Sequence, residues 1–304
     1  MLAIRSSLRY RCARSSPAGP IGSIPLRHEA VLIVTTCLTQ TPYLSVIIPA
    51  YNEARRLPLY LQRVLAYLDR HRLSYEILIV DDGSQDRTAQ AVELVAQHSL
   101  HVRLIRLTCN AGKGAAVRRG MQAARGELQL FTDADGATPI EELARLESAL
   151  AAGADLAIGS RALASQDSGY TVRARWLRSA LGTIFNSLVQ RLGIRNIADT
   201  QCGFKLFRRS VARDLFSVSC VDGYALDLEL LYIARRRGYR IAEVPVNWCD
   251  QPGSKVRPWR DGFVMLRELM AIREREARGL YRPRCRTTPG TMEPSLSSVE
   301  PSHF

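Results

Sequence analysis

Lysine is almost missing from this chain. It occurs three times, as Lys113, Lys205 and Lys255, within a combined lysine and arginine count of 42. Each stands in a glycine-containing segment: Gly-Lys-Gly, Gly-Phe-Lys and Gly-Ser-Lys. A compact ammonium does not replace an arginine fork at a tight phosphate site, so these three positions are candidates for such a site. Histidine is also scarce. The five histidines (His28, His71, His98, His101 and His303) stand outside every motif described below, which argues against histidine-based catalysis. The seven cysteines form no Cys-x-x-Cys pair. That excludes an evident zinc site or disulfide framework and fits a reducing cytosol. There is no Gly-x-Ser-x-Gly nucleophile elbow. The first strand is not followed by Gly-x-Gly-x-x-Gly, which argues against a dinucleotide-dependent dehydrogenase, and no Walker A loop occurs. Long apolar runs are missing too. The best, Ala30 to Leu38, is nine residues against the roughly 20 needed to span a bilayer, and it lacks the features of a secretory signal. Any membrane contact is therefore expected to be peripheral.

What is abundant is positive charge, +13 formally with a pI near 9.8. Such a balance suits nucleic acid, anionic headgroups or phosphorylated substrates, or it reflects no more than surface cations spelled as arginine. Residues 1–41 carry five arginines and one acid, Glu29, and read as a disordered basic leader or the product of an upstream start codon. The stretch 282–304 is rich in Pro, Ser and Thr and reads as a disordered tail. The folded domain is expected over 43–275, enough for one substantial core. Within it, apolar runs at 44–48, 76–80, 102–107 and 127–131 alternate with helical spacing over 56–70, a stretch after Asp86, 113–125 and 141–151. This α/β alternation predicts a parallel sheet with helices on both faces. Ligands in such folds bind at the carboxyl ends of the strands. From about 170 to 195 the pattern changes. No acid occurs between Gly169 and Ala198, and arginines flank an apolar stripe from Trp176 to Leu192. That is the composition of an interfacial helix on anionic lipid or of a core helix with solvated arginines.

The motifs fall at the predicted strand ends. Pro49-Ala50-Tyr51-Asn52-Glu53 follows the first strand and Asp81-Asp82-Gly83-Ser84 the second. Asn110-Ala111-Gly112-Lys113-Gly114 precedes a helix, whose N-terminus favours an anion, or it is a glycine-rich turn and no more. The fourth strand runs into Asp133-Ala134-Asp135-Gly136. Strand residues i and i+2 share a face, so Asp133 and Asp135 are expected to project together. Two carboxylates held close favour a cation, and a magnesium ion shared with substrate phosphates is the usual arrangement. The pair points to chemistry on a diphosphate.

These four segments, in this order, resemble the family 2 inverting glycosyltransferases of GT-A fold, over about Leu44 to Trp248. Gly159-Ser-Arg161, the Asp199 to Phe207 segment, Asp227-Leu-Glu229 and Glu243-Val-Pro-Val-Asn-Trp248 narrow the likeness to polyprenyl-phosphate glycosyltransferases. Phe-Thr-Asp-Ala-Asp-Gly-Ala-Thr and Gly253-Ser-Lys255 resemble the dolichyl-phosphate β-glucosyltransferase branch, whose eukaryotic members carry an N-terminal anchor longer than any apolar run here. The resemblance implies transfer of a hexose, glucose from UDP-glucose first, to a polyprenyl or dolichyl phosphate. It implies Pro49, Tyr51, Glu53, Asp82, Lys113, Asp133 and Ala134 at the nucleotide sugar and Mg2+ or Mn2+ on Asp133 and Asp135. Asp135 and Asp227 would be the catalytic acids. Arg161, Arg173, Arg175 and Lys205 would surround the acceptor phosphate. The place implied is the cytoplasmic face of a membrane. Transfer of mannose from GDP-mannose, or of sugar to a glycan or small-molecule hydroxyl with Asp227 as base, keeps the same fold. Nucleic acid is set aside, because the strand-end motifs are acidic and no nucleic-acid module appears.

Overall fold

Runs of Val, Ile and Leu make the strands, and a two-residue period decides which side each residue serves. In a computed structural model, which describes residues 41–173, 196–253 and 258–282, β1 (Leu44–Ala50) and β2 (Tyr75–Asp81) are buried along their whole length. Ile47 and Val80 face one core, while Val46, Ile48, Ile77 and Ile79 face another. This double burial is why the strands read as continuous apolar runs.

Helix α1 (Leu57–Arg70) lies between β1 and β2, and α2 (Thr88–Ala96) between β2 and β3 (Val102–Arg106). Helix α3 (Lys113–Ala123) leads to β4 (Leu128–Thr132), and a short 3-10 turn (Ile140–Glu142) opens α4 (Leu143–Ala151). Then follow β5 (Leu156–Ser160), α5 (Arg161–Ala164), β6 (Val172–Arg173), β7 (Phe204–Arg208), α6 (Arg209–Phe216), α7 (Leu226–Arg236), β8 (Ile241–Pro245), β9 (Trp248–Cys249) and α8 (Pro258–Ala277). The expected helical stripe at 173–192 lies almost wholly outside the described residues.

Among the described residues, seven strands form one sheet in the order β3-β2-β1-β4-β7-β5-β8. Every neighbouring pair is parallel except those of β7, which runs antiparallel between β4 and β5. Helices α1, α2 and α4 cover one face, burying Leu61, Val64, Leu68, Val92 and Leu146. Helices α3, α6, α7 and α8 cover the other through Val117, Met121, Leu215, Leu228 and Ile272. The expected α/β sheet with helices on both faces is present. In α2, Thr88, Ala89 and Val92 turn inward with Val95 and Ala96 partly buried beside them, and Leu94 is exposed.

The order places β2 and β3 on one side of β1 and β4 on the other. The crevice beyond the carboxyl ends of β1 and β4 is thus the topological switch point, where open α/β sheets bind ligands. The opposite end of the sheet carries a structural charge. Glu76 is buried on β2 and accepts from Ser45 Oγ at 2.8 Å and from the Arg125 backbone N–H at 2.6 Å, with Arg103 and Arg125 guanidinium groups at 3.3 and 3.2 Å. Both arginines are about half exposed, so the net contribution is that of hydrogen bonds more than of a buried ion pair. Glu76→Gln is expected to cost about 1–3 kcal/mol, read as a lower urea midpoint. The KM for donor should not change, because Glu76 lies at the far end of the sheet from the crevice.

Candidate active site at the strand ends

Strand β4 ends at Thr132, so Asp133 and Asp135 stand in the turn that follows and not on the pleat. Their convergence is a property of that turn, which corrects the strand-face argument. The Asp133 N–H donates to Gly203 O at 3.1 Å, just ahead of β7. Asp135 Oδ1 accepts from the Ala137 N–H at 3.0 Å. Gly136 between them has φ +65°, and a Cβ there would lie 2.6 Å from the Tyr60 ring. Tyr60 is itself tied to Thr132 Oγ1 through its hydroxyl at 2.8 Å. Only glycine allows this backbone and this approach, so the turn has one shape. Burial pushes the Asp135 carboxyl above the ordinary range, and the neighbouring Asp133 charge adds to it.

Two cations answer the pair. Lys113 Nζ lies 2.8 Å from Asp133 Oδ1 and 5.2 Å from the centre of the Phe131 ring. Burial alone would lower its pKa, but Asp133 and Asp227 outweigh burial and hold the ammonium above the usual lysine range. Arg56, at the start of α1, forms a fork with Glu53, Nε to Oε2 at 2.7 Å and Nη2 to Oε1 at 2.5 Å. Its Nη1 lies 3.7 Å from Asp135 Oδ2 and donates to Pro252 O at 3.2 Å. The Cys249 N–H donates to Ala137 O at 2.9 Å. The segment 249–252 is therefore laid along the aspartate turn. Arg56 was missed in the sequence. Its only signal is the i, i+3 spacing from Glu53 at a helix start.

The first two motifs are stitched together. Asn52 Oδ1 accepts from the Gln85 and Asp86 N–H groups, Ser84 Oγ accepts from the Asn52 N–H, and Thr88 Oγ1 accepts from the Glu53 N–H. Pro49 and Ala134 are buried, and Tyr51 is half-buried beside this junction. Asp82 accepts from the Ala111 and Gly112 N–H groups at 2.7 and 3.0 Å. Past Lys113, the Gly114 and Ala115 N–H groups go to Asp222 O. Four backbone donors of the loop, at 111, 112, 114 and 115, are thus bonded within the protein, as in a glycine-rich turn. What it presents to the crevice is the Lys113 ammonium.

The second half supplies a further chain of charges. Asp227, in the first turn of α7, is buried and bonded to Lys205 Nζ. Lys205 also donates to Cys202 O at 2.7 Å and is wholly buried on β7. This corrects the expectation that Lys205 faces the acceptor phosphate: its ammonium is turned inside and spent on Asp227. Arg161 makes a fork with Asp199, at 2.6 and 2.8 Å, and stands 5.4 Å from the Trp248 ring. That pairing outweighs burial and holds the Asp199 carboxyl below the usual range. Arg173 ends β6 with its side chain exposed, and Arg175 lies outside the described residues. Asp133, Lys113, Asp227 and Lys205 therefore form a run of alternating charge, with Arg56 and Glu53 continuing it past Asp135.

Among the described residues no group of three or more His, Cys, Asp or Glu side chains could hold a metal. Asp133 and Asp135 offer oxygen ligands only. This donor set fits a hard divalent cation that takes its remaining ligands from water and substrate phosphates.

Comparison with known proteins agrees with this geometry. The model of the family "Glycosyl transferase family 2" matches residues 45–216. The chain is 41% identical over 251 residues to dolichyl-phosphate beta-glucosyltransferase of Dictyostelium discoideum, covering 79% of this chain and 76% of that protein. It is 40% identical over 258 residues to the Homo sapiens protein of that name, covering 80% and 78%. Among solved structures, mannosyl-3-phosphoglycerate synthase from Rubrobacter xylanophilus has a TM-score of 0.61 at 19% identity, covering 79% of this chain and 76% of that one. Glucosyl-3-phosphoglycerate synthase from Mycobacterium tuberculosis, solved with Mn2+, UDP-glucose and phosphoglyceric acid, has a TM-score of 0.56 at 19% identity, covering 76% and 78%. At those identities the solved structures share the GT-A fold alone. The paired aspartates at the switch point, the family match and the relatives together identify the chain as a glycosyltransferase belonging to glycosyl transferase family 2.

Proposed function

We propose that this enzyme transfers glucose from UDP-glucose to a polyprenyl phosphate, with inversion, at the cytoplasmic face of a membrane. The observation that carries the reading is the identity of about 40% with proteins named dolichyl-phosphate beta-glucosyltransferase over four-fifths of the chain. No helix of the described residues is long and apolar enough to cross a membrane.

The donor lies with its nucleoside against the stitched 49–53 and 81–84 junction and its diphosphate toward Lys113, Asp133 and Asp135. Asp133 and Asp135 would hold Mg2+ or Mn2+, which when bound supplies positive charge to stabilise the departing diphosphate. An acceptor phosphate oxygen attacks the anomeric carbon as the bond from that carbon to the β-phosphate oxygen breaks, and UDP leaves with the electron pair. Lys113 exchanges Asp133 for the diphosphate and adds charge where it develops. Arg161 and Arg173 are assigned to the cationic surround of the acceptor. A phosphate monoester has a second pKa of about 6 and is largely a dianion near neutral pH, so no proton need be removed from it. Asp227 is accordingly assigned to holding Lys205 and to the field at Lys113, not to proton transfer.

Two experiments test this. Incubation with membranes and radiolabelled UDP-glucose or GDP-mannose should give an organic-extractable product from UDP-glucose alone. A water-soluble product would contradict the lipid acceptor, and labelling from GDP-mannose would contradict the donor. Asp227→Asn combined with Lys205→Met removes the buried pair without stranding a charge. Activity on lipid phosphate should stay within about tenfold, whereas an acceptor hydroxyl needing a base would lose about 10²–10⁴-fold.

A further inference from the structure

Glu229 is charged, fully buried, and too far round α7 to share the role of Asp227. Residues two apart on a helix point about 200° from one another, so Asp227 meets Lys205 while Glu229 faces the loop before α7. Its carboxylate accepts from the Cys220 N–H at 3.0 and 2.9 Å and from the Val221 N–H at 2.9 Å. The Tyr281 hydroxyl donates to it at 2.6 Å, and Arg275 Nη1 stands 3.6 Å away. The loop so gripped caps α3. Asp222 O accepts from the Gly114 N–H at 2.7 Å and from the Ala115 N–H at 3.2 Å. Arg118 of α3 grips the same loop, donating to Val221 O at 3.1 Å and pairing with the Asp222 carboxylate. A Cβ at Gly112 would collide with Asp222 O, so loop and helix start are in direct backbone contact. Lys113 is the residue between those two contacts.

We infer that Glu229 is a positioning residue for Lys113, acting through the 220–222 loop to set where the Lys113 ammonium stands. The inference rests on the reading of Lys113 as a ligand of the donor diphosphate. The clamp lies beyond the stretch matched by the family model, which ends at residue 216. It extends to Tyr281, which is buried past the end of α8. A carboxylate is needed because four hydrogen bonds come from three donors around two oxygens. In Glu229→Gln an N–H2 group replaces one oxygen, so at least the Cys220 N–H bond on that side is lost, the Tyr281 hydroxyl must turn from donor to acceptor or lose its bond, and the charge facing Arg275 is removed.

The test is a double-mutant cycle on kcat/KM for UDP-glucose with Glu229→Gln, Lys113→Ala and the pair. Glu229→Gln is expected to lower kcat/KM by about 10–100-fold, the scale of a displacement near 1 Å at a reacting centre. In the Lys113→Ala background it should change kcat/KM by less than about twofold, because coupled residues are not additive. Tyr281→Phe, which keeps the carboxylate, should show the same loss of additivity with a smaller effect, and it carries the test if Glu229→Gln does not fold. Multiplicative effects would overturn the inference while leaving Lys113 at the donor. If Lys113→Ala alone leaves kcat/KM for UDP-glucose unchanged, the donor reading of Lys113 fails first, and the clamp with it.

Discussion

Two like charges held at the end of a central strand are the constraint around which this site is built. The turn that carries Asp133 and Asp135 is shaped by Gly136, packed against the Tyr60 ring, and by the Tyr60 bond to Thr132. Burial and the Asp133 charge together raise the Asp135 pKa, and like charges so placed call for opposite charge. Lys113 and Arg56 answer that need within the protein. Each is in turn held by a second acid, Asp227 acting across space on Lys113 and Glu53 forking Arg56. The alternation continues to Lys205, inside the sheet. Four acids in this network (Asp133, Asp135, Asp227 and Glu53) face three cations (Lys113, Arg56 and Lys205), so one negative charge is left to favour an entering cation.

The antiparallel strand β7 gives this arrangement its depth. Inserted between β4 and β5, it places Gly203 against Asp133 and Lys205 under Asp227. It therefore joins the aspartate turn, which belongs to the first half of the fold, to α7, which belongs to the second. The 249–252 segment closes over the same turn from outside, through Cys249 and Arg56. The two halves of the fold thus share backbone contacts with one short turn.

The sequence made much of this visible because its signals were local. The strands β1 to β4 are apolar runs of strand length, and the helices between them have a clear 3.6-residue period. Lys113 drew notice as one of very few lysines in an arginine-rich chain. Lys205 drew notice for the same reason and was assigned the wrong surroundings, since rarity says nothing about which way a strand residue points. The placement of β7 was not legible, because pairing between distant strands leaves no periodic trace. Arg56 was hidden among many arginines. The glycine loop reads in the sequence as either an anion site or a plain turn, and its partners, Asp82 and Asp222, take four of its backbone donors. Those partners stand about 30 residues before the loop and more than 100 after it, beyond the reach of any local pattern.

The central claim is that Asp133 and Asp135 bind a diphosphate through a divalent cation. Calorimetric titration of the full chain with UDP, in Mn2+ and then in chelator, tests it most directly. Binding should be strong with Mn2+, weaker by at least about tenfold with chelator, and equally weak for Asp135→Asn in either buffer, a difference of about 1.4 kcal/mol or more. UDP binding of equal strength in chelator, or unaltered by Asp135→Asn, would contradict the account.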